Sequence, residues 1–160
     1  MMNLPFQFMR AYMNLKDKIN SDLKEAMKSG DKIRLQTVRS IRALILEFEK
    51  SGPAKELTTD EEVSMLTTAA KKRKESIEQF RNAGREELAK QEEAELEIIM
   101  SYLPKQLSEN EILTEVKRLA SVLGVSSKEG FAKLMPAVMK ELKGKADGKV
   151  VRSIVENFLS

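Results

Sequence analysis

Residues 101–124 read SYLPKQLSENEILTEVKRLASVLG, and the reading of this stretch decides the fold. Pro104 cannot continue a helix, so the helix before it closes there. Ser108-Glu109-Asn110-Glu111 then has the spacing of a capping box. Ile112, Val116, Leu119 and Leu123 recur at helical period up to Gly124. A stop followed at once by a fresh start marks a boundary between two helical units. The expected organisation is an N-terminal domain over 14–105, built like a helical hairpin, and a small C-terminal helical bundle over 106–160.

Upstream of this boundary, Leu15, Ile19, Leu23 and Met27 fall four apart and predict a helix from Asn14. Ser29-Gly30-Asp31 ends it and caps the next, over Lys32–Lys50, whose apolar side carries Leu35, Val38, Ile41, Ile45 and Phe48. So short a connector predicts an antiparallel hairpin. Thr59-Asp60-Glu61-Glu62 reads as a capping box for a third helix through Arg81, and Asn82-Ala83-Gly84 punctuates it. The fourth helix, to Tyr102, opens with REELAKQEEAELE, which is too polar to pack on more than one edge. It is expected to project into solvent or lie across a partner.

Downstream, a sixth segment carries Phe131, Leu134, Met135, Val138 and Leu142, with Pro136 predicting a kink or a split. Gly144 stops it. Asp147 is expected to be the N-cap of a last helix with Val150, Val151, Ile154, Val155 and Phe158. No segment alternates as a strand, and no glycine-rich phosphate loop is present. The fold class is all-α.

The 160 residues include 28 Lys and Arg against 25 Asp and Glu, so net charge alone does not demand an anionic partner. With no His and no Cys, the chain cannot build a Ser-His-Asp or Cys-His triad, nor an imidazole or thiolate metal site. No cofactor or metal is expected, and no intrinsic catalytic activity. No apolar run approaches a membrane span, so no membrane partner is expected. The absence of cysteine fits a reducing compartment, and the location is read as cytoplasmic. Residues 1–13, MMNLPFQFMRAYM, read as an upstream start or an appended remnant, with an amphipathic docking helix as the other reading.

The charges separate into three groups. Lys71-Lys72-Arg73-Lys74 spreads around a helix rather than forming a patch, and Glu75 and Glu78 lie within i,i+4 reach of Lys71 and Lys74. Arg34 falls at the middle of the apolar face of the second helix, with Arg42 near its edge. A charge there must be paired, snorkel out or touch a partner, and Asp22 and Glu25 are at hand. Arg34 is therefore expected to be substantially buried and ion-paired. The third group is the C-terminal set Lys133, Lys140, Lys143, Lys145, Lys149 and Arg152. All six can face solvent beside a helix–turn–helix junction, where they would hold phosphate without reading base sequence. The competing reading is a protein-interaction module whose acidic fourth helix, Glu86 to Glu97, meets a basic partner.

Three strings carry a resemblance: DLKEAMKSGDKIRLQTVRSIRA at 22–43, QFRNAGREELAKQEEAELEIIMSYLPKQLSE at 79–109, and MKELKGKADGKVVRSIVENFL at 139–159. Together they resemble the YqeY family, which is similar to the C-terminal part of the B subunit of the glutamyl/aspartyl-tRNA amidotransferase. The likeness runs from about Asn14 to Ser160, with Gly144-Lys145-Ala146-Asp147-Gly148 as its most specific element. Ala132 departs from the glycine of many members. The resemblance implies a two-part helical protein that binds tRNA or serves the aminoacyl-tRNA or amidotransferase machinery. It also implies an association with glutamine-dependent carbon–nitrogen ligation, whose catalytic parts this chain lacks. The sequence leaves the oligomeric state open.

Overall fold

The computed structural model describes residues 10, 13–52 and 56–160. Apart from Arg10 and Met13, the N-terminal extension lies outside the described residues. Among those described there are seven α-helices, one 3-10 turn and no strand. The chain divides into two compact units between Tyr102 and Leu103.

In the first unit, α1 (Leu15–Ser29) starts at Asn14, whose side chain accepts from the Asp17 amide at 2.9 Å. Its core face differs from the four-spaced stripe. Leu15, Ile19, Asp22 and Ala26 are buried, while Met27 is 52% exposed. Each four-residue step overshoots a turn by about 40°, so a run of fours drifts off the core. Steps of four, three and four hold the face, and they carry Asp22 into the interior.

Gly30 closes α1 in the left-handed conformation, φ +72°, and Asp31 caps α2 (Lys32–Lys50) by accepting from the Arg34 amide. The two helices pack as the expected hairpin, with Val38, Ile41 and Ile45 buried on α2.

α3 (Thr59–Asn82) begins one residue earlier than its sequence suggested. The capping box is Thr58 with Glu61, not Thr59 with Glu62. Both pairs fit the pattern, but Glu62 is needed elsewhere. Its Oε1 accepts from the Leu15 amide at 2.9 Å, satisfying an orphan donor in the first turn of α1.

α4 (Glu86–Met100) packs along α3 and also touches α2. It does not project into solvent. Its polar half is matched by cations of α3: Arg73 lies 3.0 Å from Glu92 and 2.8 Å from Glu95, and Arg81 pairs with Glu93. Helical patterning tracks only apolar residues, so it missed a packed edge held by charge.

The second unit is held by an apolar core. α5 (Glu109–Leu123) starts at the Ser108–Glu111 capping box and ends at Gly124. After a 3-10 turn at Lys128–Gly130, α6 (Phe131–Glu141) and α7 (Gly148–Leu159) complete the bundle. Val116, Leu134, Val138 and Val155 are fully buried there. Pro136 lies inside one continuous helix, so the expected split does not occur. An interior proline costs about 3 kcal/mol, while burying Leu134 and Val138 on either side returns about 1.5–3 kcal/mol each.

Candidate functional site

The α6–α7 junction is built around one glycine. Gly144 is buried with φ +73°, a backbone state that side-chain-bearing residues resist. Its carbonyl accepts from Gln106 Nε2 at 2.7 Å, and the Lys145 carbonyl accepts from the Leu107 amide at 2.8 Å. The segment leading into α5 is thus stitched to the turn before α7. The two strings that are most specific in the sequence, YLPKQLSE and GKADG, meet at these bonds.

Asp147 is the N-cap of α7, its Oδ1 accepting from the Lys149 amide at 2.9 Å. Its carboxylate occupies the helix terminus and would repel an anion placed there.

Lys133, Lys140, Lys143, Lys145, Lys149 and Arg152 are all exposed. They are not equivalent. Lys133 Nζ donates to the Leu123 carbonyl at 2.9 Å, across the turn that joins α5 to α6. Arg152 donates to Glu156 at 2.8 Å and lies over the Phe131 ring, 5.9 Å from its centroid. The ammonium groups of Lys140, Lys143, Lys145 and Lys149 form no ion pair among the described residues. The Arg152–Glu156 pair is an i,i+4 contact open to sequence reading, whereas the partner of Lys133 depends on tertiary packing.

The N-terminal unit holds charge of another kind. Asp22 is fully buried on α1. Its Oδ2 receives Arg10 at 2.6 Å and the Tyr102 hydroxyl, and lies 3.7 Å from Arg34 Nη2. Oδ1 has no hydrogen-bond partner among the described residues. Burial, and then the hydrogen bond to Asp22, pushes the Tyr102 phenol above its ordinary range. The bond to Asp22 likewise raises Arg10.

Arg34 therefore has its carboxylate, but its side chain is 38% exposed rather than buried: it snorkels from the first turn of α2. Arg42 is exposed. Asp22 itself was legible only as a possible partner. The missed signal is its place seven residues after Leu15 and three after Ile19.

Between α2 and α3, over Ile99 of α4, lies a cleft of about 560 Å³ with Leu44, Phe48 and Met65 on its walls. Among the described residues no cluster of carboxylates could hold a metal ion, and no helix is long and apolar enough to cross a membrane.

This architecture has relatives. The protein named "Altered inheritance of mitochondria protein 41, mitochondrial" of Pyrenophora tritici-repentis is 36% identical over 132 residues, covering 81% of this chain and 71% of that one. The protein of the same name in Lachancea thermotolerans is 30% identical, covering 84% and 75% of the two chains. Its Saccharomyces cerevisiae counterpart is 29% identical, covering 87% and 74%.

These names overturn the cytoplasmic expectation: the relatives are mitochondrial proteins. Lack of cysteine was the ground for that expectation, and it does not separate one thiol-reducing compartment from another. The model of the Yqey-like protein family matches residues 16–159, nearly the whole chain, and with it the chain belongs to the YqeY family.

Proposed function

We propose that this chain is a non-catalytic RNA-binding accessory module that works in mitochondria, with tRNA as its ligand and amidotransferase-type tRNA chemistry as its setting. The observation that supports this reading is the set Lys140, Lys143, Lys145 and Lys149. These four exposed ammonium groups surround one rigid turn and have no carboxylate partner among the described residues. Cations left unneutralised at a fixed turn suit a phosphate backbone, which is bound through charge and counterion release. No aromatic ring joins them, so stacking of bases is not part of the reading.

The competing reading, an acidic α4 that meets a basic protein, loses support from the same structure. Glu92, Glu93 and Glu95 already serve Arg73 and Arg81 within the chain.

The test is retention of bulk tRNA by the full chain across a salt series. Binding should be weak, tolerant of sequence and steeply weakened by salt. Lys143→Glu, Lys145→Glu and Lys149→Glu together should weaken it at least about tenfold with helicity unchanged, because phosphate contacts set both affinity and slope. Reversing Lys71 and Lys72 should do little. If wild-type protein retains no tRNA even at low salt, the reading fails and the protein-interaction module takes its place.

A further inference from the structure

Several prominent cations of the N-terminal unit are neutralised within it. Arg10 and Arg34 meet Asp22, Lys16 meets Glu49, Arg73 meets Glu92 and Glu95, and Arg81 meets Glu93. The cations on the outward face of α2 are not neutralised in this way. Lys32, Arg39, Arg42 and Lys50 are all exposed, and none forms an ion pair with a described residue.

For the two arginines, the sequence neighbours explain why. Three and four residues either side of Arg39 stand Leu35, Gln36, Arg42 and Ala43. Around Arg42 stand Val38, Arg39, Ile45 and Leu46. No acid is within helical reach of either arginine, and each is the other's i,i+3 neighbour. Like charges so placed destabilise a helix by a few tenths of a kcal/mol, so they do nothing for the fold.

Placement makes a track of them. At 100° per residue Lys32, Arg39 and Lys50 fall within about 20° of one line, and Arg42 about 60° to the side of Arg39. The line is about 27 Å long at 1.5 Å per residue. The opposite side of α2 is occupied by the core residues Val38, Ile41 and Ile45, so this face cannot turn inward.

We infer that Lys32, Arg39, Arg42 and Lys50 form a second RNA-contacting surface, on α2, that follows a phosphate backbone. The choice of ligand rests on the RNA-binding reading above; the surface itself does not use the C-terminal lysines. Phosphate fits better than an anionic membrane. A helix that lies on lipid needs an apolar face free to enter it, and here that face is buried, leaving Ile33 and Leu46 as the large apolar residues exposed on α2. Two arginines without partners match phosphate oxygens through their planar forks.

The experiment uses the full chain and bulk tRNA in the same salt series. Arg39→Gln with Arg42→Gln should weaken binding about tenfold and lower the slope of log affinity against log salt by about 2, one for each phosphate contact removed. Both side chains are exposed, so helicity should not change; Arg39→Lys with Arg42→Lys should keep most of the binding.

Combined with the lysine reversals at the C-terminal turn, the glutamine pair should remove retention altogether. If the glutamine pair leaves affinity and slope unaltered while the lysine reversals still act, the α2 surface is wrong and the C-terminal reading survives. If the lysine reversals do nothing while the glutamine pair acts, the α2 surface stands and the C-terminal site fails. Absence of tRNA retention by the wild type overturns both. A glutamine pair that releases anionic vesicles but not tRNA assigns the surface to membrane and overturns the inference.

Discussion

The two units solve the problem of a helical interior in opposite ways. The C-terminal unit buries Val, Leu, Ile and Ala and turns its charges outward. The N-terminal unit admits two carboxylates to its interior, Asp22 and Glu95, and closes arginines over them. A buried charge is costly to strip of water and strongly destabilising to orphan, yet a packed apolar pair can often replace it. The N-terminal helices are thereby held in register by directional contacts, and the C-terminal ones by shape.

That contrast can be broken most directly at Asp22. Asp22→Ala leaves Arg10, Arg34 and the Tyr102 hydroxyl without their shared acceptor. It should destabilise the chain by about 3 kcal/mol, the low end for a broken buried pair, because both arginines reach solvent. Arg34→Ala should cost about 1 kcal/mol at most, since Arg34 is more than a third exposed and Arg10 remains on the carboxylate. Urea denaturation measures both. Equal losses would mean that Arg34 carries the cluster and that its exposure misleads.

Glu95 sharpens the comparison by asking whether the ionic interior is needed at all. Glu95→Leu alone takes one of two carboxylates from Arg73, leaving Glu92, and should cost about 2 kcal/mol. Adding Arg73→Met should recover most of it, because the pair is then replaced by packing of the kind the C-terminal unit uses. Failure of the second change to restore stability in guanidinium unfolding would show that Arg73 is held chiefly by Glu92.

At Asp147 the expected effects are smaller. Asp147→Ala should lower stability by about 1 kcal/mol and Asp147→Asn should be close to neutral, as for an N-cap that works through one acceptor oxygen. A thermal melt separates them. If the asparagine variant changes tRNA retention more than it changes melting, the carboxylate takes part in binding.

At Tyr102 the expected effect is read in titration. Its proton is held more tightly in the folded state than in the unfolded one. The stabilisation is complete below the ordinary phenol value of about 10 and is lost as pH rises toward the folded value. Tyrosinate absorbance should show one of the two tyrosines titrating late, and Tyr102→Phe should remove that late step.

The fold was legible where a local rule had one reading. Ser108 with Glu111 admits one capping box, and Gly30 before Asp31 one turn. Thr58 and Thr59 offer two, and the choice depends on Glu62 being drawn to α1, which no local pattern contains. Asp22 stayed hidden because a polar residue at a core position reads as an interruption. The packed edge of α4 stayed hidden because its contacts are ionic and long in reach. In the candidate site, exposure of all six cations followed from helical phase. The i,i+4 pairing of Arg152 with Glu156 was equally open to that rule, but the engagement of Lys133 with a carbonyl across the turn was not.

The bond from Gln106 to the Gly144 carbonyl joins residues 38 apart in sequence. During synthesis, the entry to α5 has no lock until the chain has emerged through Lys145. α5 and α6 touch one another but must wait for α7, with part of their apolar faces open to chaperones. Once the turn arrives, a loop of this length closes at an entropic cost that grows only slowly with its size. The C-terminal unit is in this sense a latch set by its own last segment, and a chain truncated before Gly144 should be recognised as unfinished.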